Sequence, residues 1–176
     1  MAERVISGRN KRPLWLHRTL AILLLIIVLS IVFGNRLFNT IQRPLWDKIA
    51  SAEAAAVEKL NIKDVTEADR FIGDKAYTVL FATNPAGEKV VVWVWDDGLH
   101  VEKASAGLTK EEVKQLALAD APGKHILRII PGKLRDEYVW EVFYTKLEDG
   151  STRHYYDYYR FSDGQKLDTY RLAKFS

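Results

Sequence analysis

The chain has 176 residues, 48% hydrophobic and 28% charged, with a formal net charge of +3 and no cysteine. This composition excludes a collagen-like or disordered chain. The missing thiols exclude disulfides, thiolate metal sites, cysteine nucleophiles and a lipid-modified N-terminal cysteine. The basic excess sits in residues 1–18, where Arg4, Arg9, Lys11, Arg12 and Arg18 oppose Glu3 for a local +4, which leaves −1 for the rest of the chain. A nearly neutral folded part has no electrostatic footprint for nucleic acid, so no nucleic-acid partner is expected.

Leu20 to Phe33 is an uncharged run of 14 residues in which only Ala21 and Ser30 are not large and apolar. The 12 Leu, Ile, Val and Phe residues, at roughly −0.3 to −0.6 kcal/mol each, favour bilayer insertion by on the order of −4 to −7 kcal/mol. Arg18 and Arg36 enclose 17 residues, roughly 26 Å of helix, slightly less than the ~30 Å hydrocarbon core. Both arginines can snorkel, and Trp15, Leu16, Leu37 and Phe38 extend the apolar surface. The run is followed by Gly34, Asn35, Arg36, Leu37 and Phe38, without the small-x-small pattern of a cleaved signal peptide. An uncleaved anchor is therefore expected. The more basic flank is N-terminal, which keeps that side cytoplasmic. The expectation is a basic cytoplasmic tail over 1–18, a transmembrane helix over 19–35, and a C-terminal domain outside the cytoplasmic membrane, with the lipid bilayer as a partner through the anchor.

Beyond the anchor, Arg43-Pro44 predicts a break in helical continuity, with Pro44 at the first position of a new helix. Leu45, Ile49, Ala52, Ala56 and Leu60 recur at helical spacing, so a helix is expected over 44–61. Strands are expected over 64–72, 76–83 and 89–96, with a short fourth over 99–104. Asn84-Pro85-Ala86-Gly87 and Asp97-Gly98 supply the turns. Val90 to Trp95 is apolar on both faces, which suits a central strand. Thr109 and Glu112 fit a capping box that opens a short amphipathic helix through Val113, Leu116, Ala117 and Ala121, stopped by Pro122-Gly123. Strands follow over 125–131, 137–146, 153–162 and 166–174, turned at Asp149-Gly150 and Asp163-Gly164. The pattern is helix–strand–strand–strand twice. Gly87 and Gly150 lie 63 residues apart, and Gly98 and Gly164 lie 66 apart. Each unit is small for independent stability, so the two are expected to pack together.

Residue types that carry chemistry are sparse. His17, His100, His125 and His154 form no H-x-x-x-H or H-E-x-x-H arrangement, so no metal and no cofactor is assigned. Asp96-Asp97 and Asp136-Glu137 are adjacent carboxylates of the kind that could act on sugars, but neighbours in a strand point to opposite faces. No nucleophile elbow, P-loop or dinucleotide fingerprint is present, so no residue is named as catalytic. The distinctive stretch is Arg153 to Phe161. Alternation places Tyr155, Asp157, Tyr159 and Phe161 on one face and His154, Tyr156, Tyr158 and Arg160 on the other. One face must meet the helix. The face of His154, Tyr156, Tyr158 and Arg160 is the candidate partner-binding surface, because half-exposed tyrosines make good interface anchors. Two-sided packing between the units and stacking on glycan sugars are the alternatives for it.

A basic tail and anchor, the helix Ile49-Ala50-Ser51-Ala52-Glu53-Ala54-Ala55-Ala56, and the strand pair Tyr77 to Phe81 with Val90 to Trp95 together resemble the PepSY-like YpmB/TseB family of Gram-positive bacteria. The second copy contributes Tyr138 to Tyr144 and Tyr155 to Phe161. The resemblance implies an α+β fold: an N-terminal transmembrane helix, then two tandem PepSY/cystatin-like αβββ units, 36–106 and 107–176. It also implies a non-enzymatic cell-wall elongation regulator that binds a class B penicillin-binding protein at the outer face of the cytoplasmic membrane. The rival expectations are a modulator or inhibitor of an extracytoplasmic peptidase and a peptidoglycan hydrolase.

Overall fold

A computed structural model describes residues 14–173. The expected tail cations Arg4, Arg9, Lys11 and Arg12 lie outside the described residues. The chain divides after Trp46 into two units, Met1–Trp46 and Asp47–Ser176.

Helix α1 runs from Leu14 to Leu60 and carries Pro44 inside it. The break expected at Arg43-Pro44 does not occur. One interior proline costs about 3 kcal/mol in a lost hydrogen bond and a local clash. Ending the helix there would forfeit several i→i−4 bonds and demand a second, unfavourable nucleation. Ala52, Ala54, Ala55 and Ala56 then sustain it. Within α1, Ile22–Thr40 is long and apolar enough to cross a membrane, with none of it buried. The helix stops at Asn61, whose φ of 51° is a left-handed terminator.

In the second unit, β1 (Lys63–Ile72), β2 (Ala76–Thr83), β3 (Lys89–Trp95) and β4 (Gly98–Lys103) form an antiparallel meander in the order β1-β2-β3-β4. Leu80, Ala82, Val90, Val92 and Val94 occupy one face and pack with Ala52, Ala56 and Ile62. Phe71, Tyr77, Val79, Val91 and Trp93 occupy the other and enter a second cluster with the C-terminal half. Strand β3 is thus buried on both sides, which explains why its sequence is apolar without alternation. Trp95 pairs with Gly98, so Asp96 and Asp97 are the turn residues, one position earlier than the Asp-Gly signal implies. Gly98 is needed for a different reason: a Cβ there would lie 2.7 Å from the Trp95 ring.

Helix α2 (Lys110–Asp120) opens on the expected capping box, with Thr109 accepting from the Glu112 backbone and the Glu112 side chain reaching back, and it buries Val113 and Ala117. Strands β5 (His125–Leu134), β6 (Glu137–Glu148), β7 (Ser151–Arg160) and β8 (Lys166–Arg171) form the second meander, in the order β5-β6-β7-β8. Asp149 and Gly150 turn β6 into β7 with φ of 49° and 72°, as a type I′ turn requires. Each half therefore has four strands where the αβββ pattern has three. The fourth strands, β4 and β8, are the six-residue edge strands expected over 99–104 and 166–174, which the αβββ count leaves out.

One aromatic core joins the two sheets. Trp93 Nε1 donates to the Gly132 carbonyl at 3.1 Å, and Trp140 Nε1 donates to the Leu108 carbonyl at 3.1 Å. Trp93 meets Phe161 edge-on with centroids 5.1 Å apart. Gly132 permits a close approach between the halves, since a Cβ there would sit 2.3 Å from the Phe71 ring.

Candidate functional site

The register of β6 against β7 pairs Glu141 with Tyr158, Phe143 with Tyr156 and Thr145 with His154. Strand β8 continues the row, Tyr156 facing Tyr170. The face carrying the predicted residues divides in two. At one end Tyr158 is buried: its ring meets Phe71 edge-on at 6.5 Å and its hydroxyl donates to Glu141 Oε2 at 3.1 Å. Burial first, then the Glu141 carboxylate, pushes its pKa up. Arg160 is half-buried and held by Glu137 at 3.3 Å and Asp163 at 2.9 Å. At the other end the surface is open. Tyr156 is half-buried and stacks on Phe143 with centroids 4.7 Å apart, and the exposed His154 stacks on the same ring at 5.7 Å. Tyr170, 42% exposed, completes this aromatic platform. Arg128 borders it, over the Phe143 ring at 6.0 Å and 2.7 Å from Glu141 Oε1. Phe143, Tyr170 and Arg128 are additions to the predicted set. Only cross-strand register brings them to it.

The reverse face of β7 meets α2 and holds a charged cluster. Asp157 is fully buried and sits 2.7 Å from Lys124 Nζ and 3.2 Å from Lys166 Nζ. Thr169 Oγ1 donates to it at 2.6 Å, with the Tyr144 and Tyr159 hydroxyls at 3.3 and 3.4 Å. Asp120 binds both lysines at 2.8 Å. Burial alone would raise the Asp157 pKa, but the donors from Lys124, Thr169 and Lys166 outweigh it and the net shift is downward. The Lys124 and Lys166 ammonium groups hold Asp120 at about 2. This cluster ties the α2–β5 connection and the edge strand β8 to the sheet. An acid in the middle of the aromatic strand, between Tyr155 and Tyr159, is the signal that marks it; nothing in the sequence singles out Lys124.

The remaining candidates are scattered. His100 stacks on Tyr138 at 4.3 Å and lies 2.8 Å from Glu102, while His125 is exposed at the start of β5. Asp96 and Asp97 pair separately with Lys48 and Lys75, at 3.3 and 3.6 Å. Asp136 lies in the β5–β6 turn and Glu137 opens β6, where it pairs with Arg160. Among the described residues, no group of three or more His, Cys, Asp or Glu side chains is placed to hold a metal ion. The two β7 faces thus carry an open aromatic surface and a buried ion cluster.

Residues 51–94 match the family model described as the cell wall elongation regulator TseB-like domain. Residues 107–159 match the model described as the peptidase propeptide and YPEB domain, PepSY. The chain matches no curated protein. Among solved structures it is similar to the YpmB protein from Bacillus subtilis at 21% identity and a TM-score of 0.59, covering 70% of this chain and 96% of that one. That likeness shows a shared fold. The TseB-like match over 51–94, the PepSY match over 107–159 and the fold shared with YpmB together support a YpmB/TseB-like PepSY family for this chain.

Proposed function

We propose that this protein is a membrane-anchored, extracytoplasmic and non-enzymatic regulator that binds a membrane-bound cell-wall synthesis protein, a class B penicillin-binding protein, during elongation. In this reading residues 1–18 are a cytoplasmic tail and 19–35 cross the membrane. Residues 36–106 and 107–176 are the two PepSY-like modules outside. The single-pass anchor confines the domain beside its partner in two dimensions, which raises effective concentration without demanding a large interface. The observation that carries the reading is the open aromatic platform of Phe143, Tyr156, His154 and Tyr170 on the half matched to the PepSY model, in a chain whose residues 51–94 match an elongation-regulator model. Tyrosine and flanking arginine are the residue types enriched at binding hot spots. A photo-reactive residue placed at Tyr156 in living cells is expected to capture a wall-synthesis protein, and the adduct should fade in Phe143→Ala. Capture of no such protein at this position sinks the proposal.

The match to a peptidase-propeptide model favours one alternative, restraint of an extracytoplasmic peptidase. Inhibition of such an enzyme by the full-length protein in nanodiscs, lost in Tyr156→Ala, would favour that alternative over wall synthesis.

A further inference from the structure

Strands β1, β2 and β3 present successive rows of side chains toward α1. Ala68, Leu80 and Val92 pair across the three strands and enter the apolar cluster of Ala52 and Ala56. One step along, the two-residue alternation puts Arg70, Thr78 and Val94 in the next row on the same face. The α1 residues over this row are Lys48, Ser51, Ala52 and Ala55, at i, i+3, i+4 and i+7 on one helix face. Three of these four side chains are short, and so is Thr78, so the row is left unfilled. A cleft of about 420 Å³ remains, with Trp95 and Asp96 also among its walls. That volume lies in the range of small-ligand sites, roughly 300–1,000 Å³.

The polar groups of this cleft are mainly hydrogen-bond donors. Arg70 is exposed and makes no ion pair among the described residues. The acids near it are engaged by other cations: Glu67 by Lys110, Asp97 by Lys75 and Asp96 by Lys48. Thr78 is only 8% exposed, and its hydroxyl has no partner among the described residues, whereas Ser51 donates to the Lys48 carbonyl at 2.9 Å. Lys48 lies 3.3 Å from Asp96, but their side chains are 61% and 94% exposed. Such a pair contributes little and exchanges readily for a better partner. Lys48 and Arg70 against Asp96 leave the walls with one positive charge in excess.

We infer that this cleft binds a single anionic group, a carboxylate or a phosphodiester, carried on a small and partly apolar body. The Arg70 guanidinium offers two parallel N–H donors to two oxygens of such a group. Thr78 supplies a hydroxyl donor, and Lys48 supplies a second positive charge once Asp96 returns fully to water. Val94 and the Ala52 and Ala55 methyl groups receive the apolar body. The site belongs to the N-terminal sheet and lies apart from the aromatic platform, so it stands or falls independently of the docking role.

The test uses the full-length chain in a maltoside detergent, which brings no anionic headgroup, and follows the methyl signals of Ala52, Ala55 and Val94. Three probes are titrated: acetyl-glycyl-alanine with a free carboxylate, its C-terminal amide, and diethyl phosphate. Saturable shifts from the carboxylate, the phosphodiester or both are expected, and the pattern tells which anion the site prefers. The amide should leave the signals in place. In Arg70→Gln the affinity should fall about tenfold or more, as loss of a charged hydrogen bond implies. Asp96→Asn removes the competing acid at an exposed position and should tighten binding. Arg171→Gln, on the edge strand of the other sheet, should leave it unchanged. Saturation by neither anion, equal shifts from the amide, unchanged binding in Arg70→Gln, weaker binding in Asp96→Asn, or an equal loss in Arg171→Gln would each overturn the assignment.

Discussion

Replacing Lys124 with methionine tests whether the buried charge cluster holds the C-terminal half together. The Lys124 side chain is 1% exposed, and its Nζ contacts Asp157 at 2.7 Å and Asp120 at 2.8 Å. Removing one partner of a buried ion pair costs about 3–5 kcal/mol, because the survivor is left charged in a poorly solvating place. Lys166 remains 3.2 Å from Asp157 and Thr169 still donates to it, so the low end, about 3 kcal/mol, is expected. For a unit of this size that corresponds to a drop of roughly 10 °C in melting midpoint. Urea unfolding of the full-length protein in detergent, followed by fluorescence of the buried Trp93 and Trp140, would measure it. The double variant Lys124→Met/Asp157→Leu removes both charges from the pair, and apolar replacements of a complete buried pair are often neutral. It should therefore recover most of the loss. A single-variant cost below about 1 kcal/mol, or a double variant no better than the single one, would refute the argument that unpaired charge is the source of the penalty.

The same cluster sets an acid limit. Asp120 and Asp157 have folded-state pKa values below the usual carboxylate range, so their stabilisation is complete above the unfolded value near 4 and is lost as pH falls through the lower folded values. Unfolding midpoints should thus decline below about pH 4, and Asp120→Asn should flatten that decline. Gly132→Ala should destabilise by about 1–3 kcal/mol, because its methyl would enter the Phe71 ring; thermal melts check this, and an unchanged midpoint would mean that the sheets can separate freely. Thr109→Ala removes the capping box of α2 and should cost about 0.5–2 kcal/mol, read as increased amide exchange in the first turn of the helix.

The local devices were legible because each depends on a few adjacent residues. Thr109 with Glu112 announces the start of α2, and Asp149-Gly150 announces a turn whose two positive φ angles few other residue pairs accept. The non-alternating Val90 to Trp95 run marks a strand covered on both sides. The errors arose where a local signal competed with something longer in range. Pro44 is a strong breaker over one turn, yet it sits in a helix of 47 residues whose propagation outweighs one lost bond. Asp97-Gly98 resembles a hairpin turn, but the Trp95 ring lying over Gly98 moves the turn to Asp96 and Asp97. Tyr156 and Tyr158 occupy the same strand face and look equivalent in sequence. Phe71, some 85 residues earlier, covers one and leaves the other half open.

Hydrophobic periodicity, caps and turn residues were enough by themselves to determine the apolar N-terminal helix, the repeated helix-and-sheet plan and the aromatic character of β7. These follow from the 3.6- and 2-residue periods and from backbone preferences that act within a few positions. Only the tertiary structure decided which tyrosine became core, that Lys124 joins Asp157 inside, and that Arg70 and Thr78 share a cleft with Lys48. Burial and pairing are properties of the surroundings that distant strands create around a residue. No window of sequence contains both sides of such a contact.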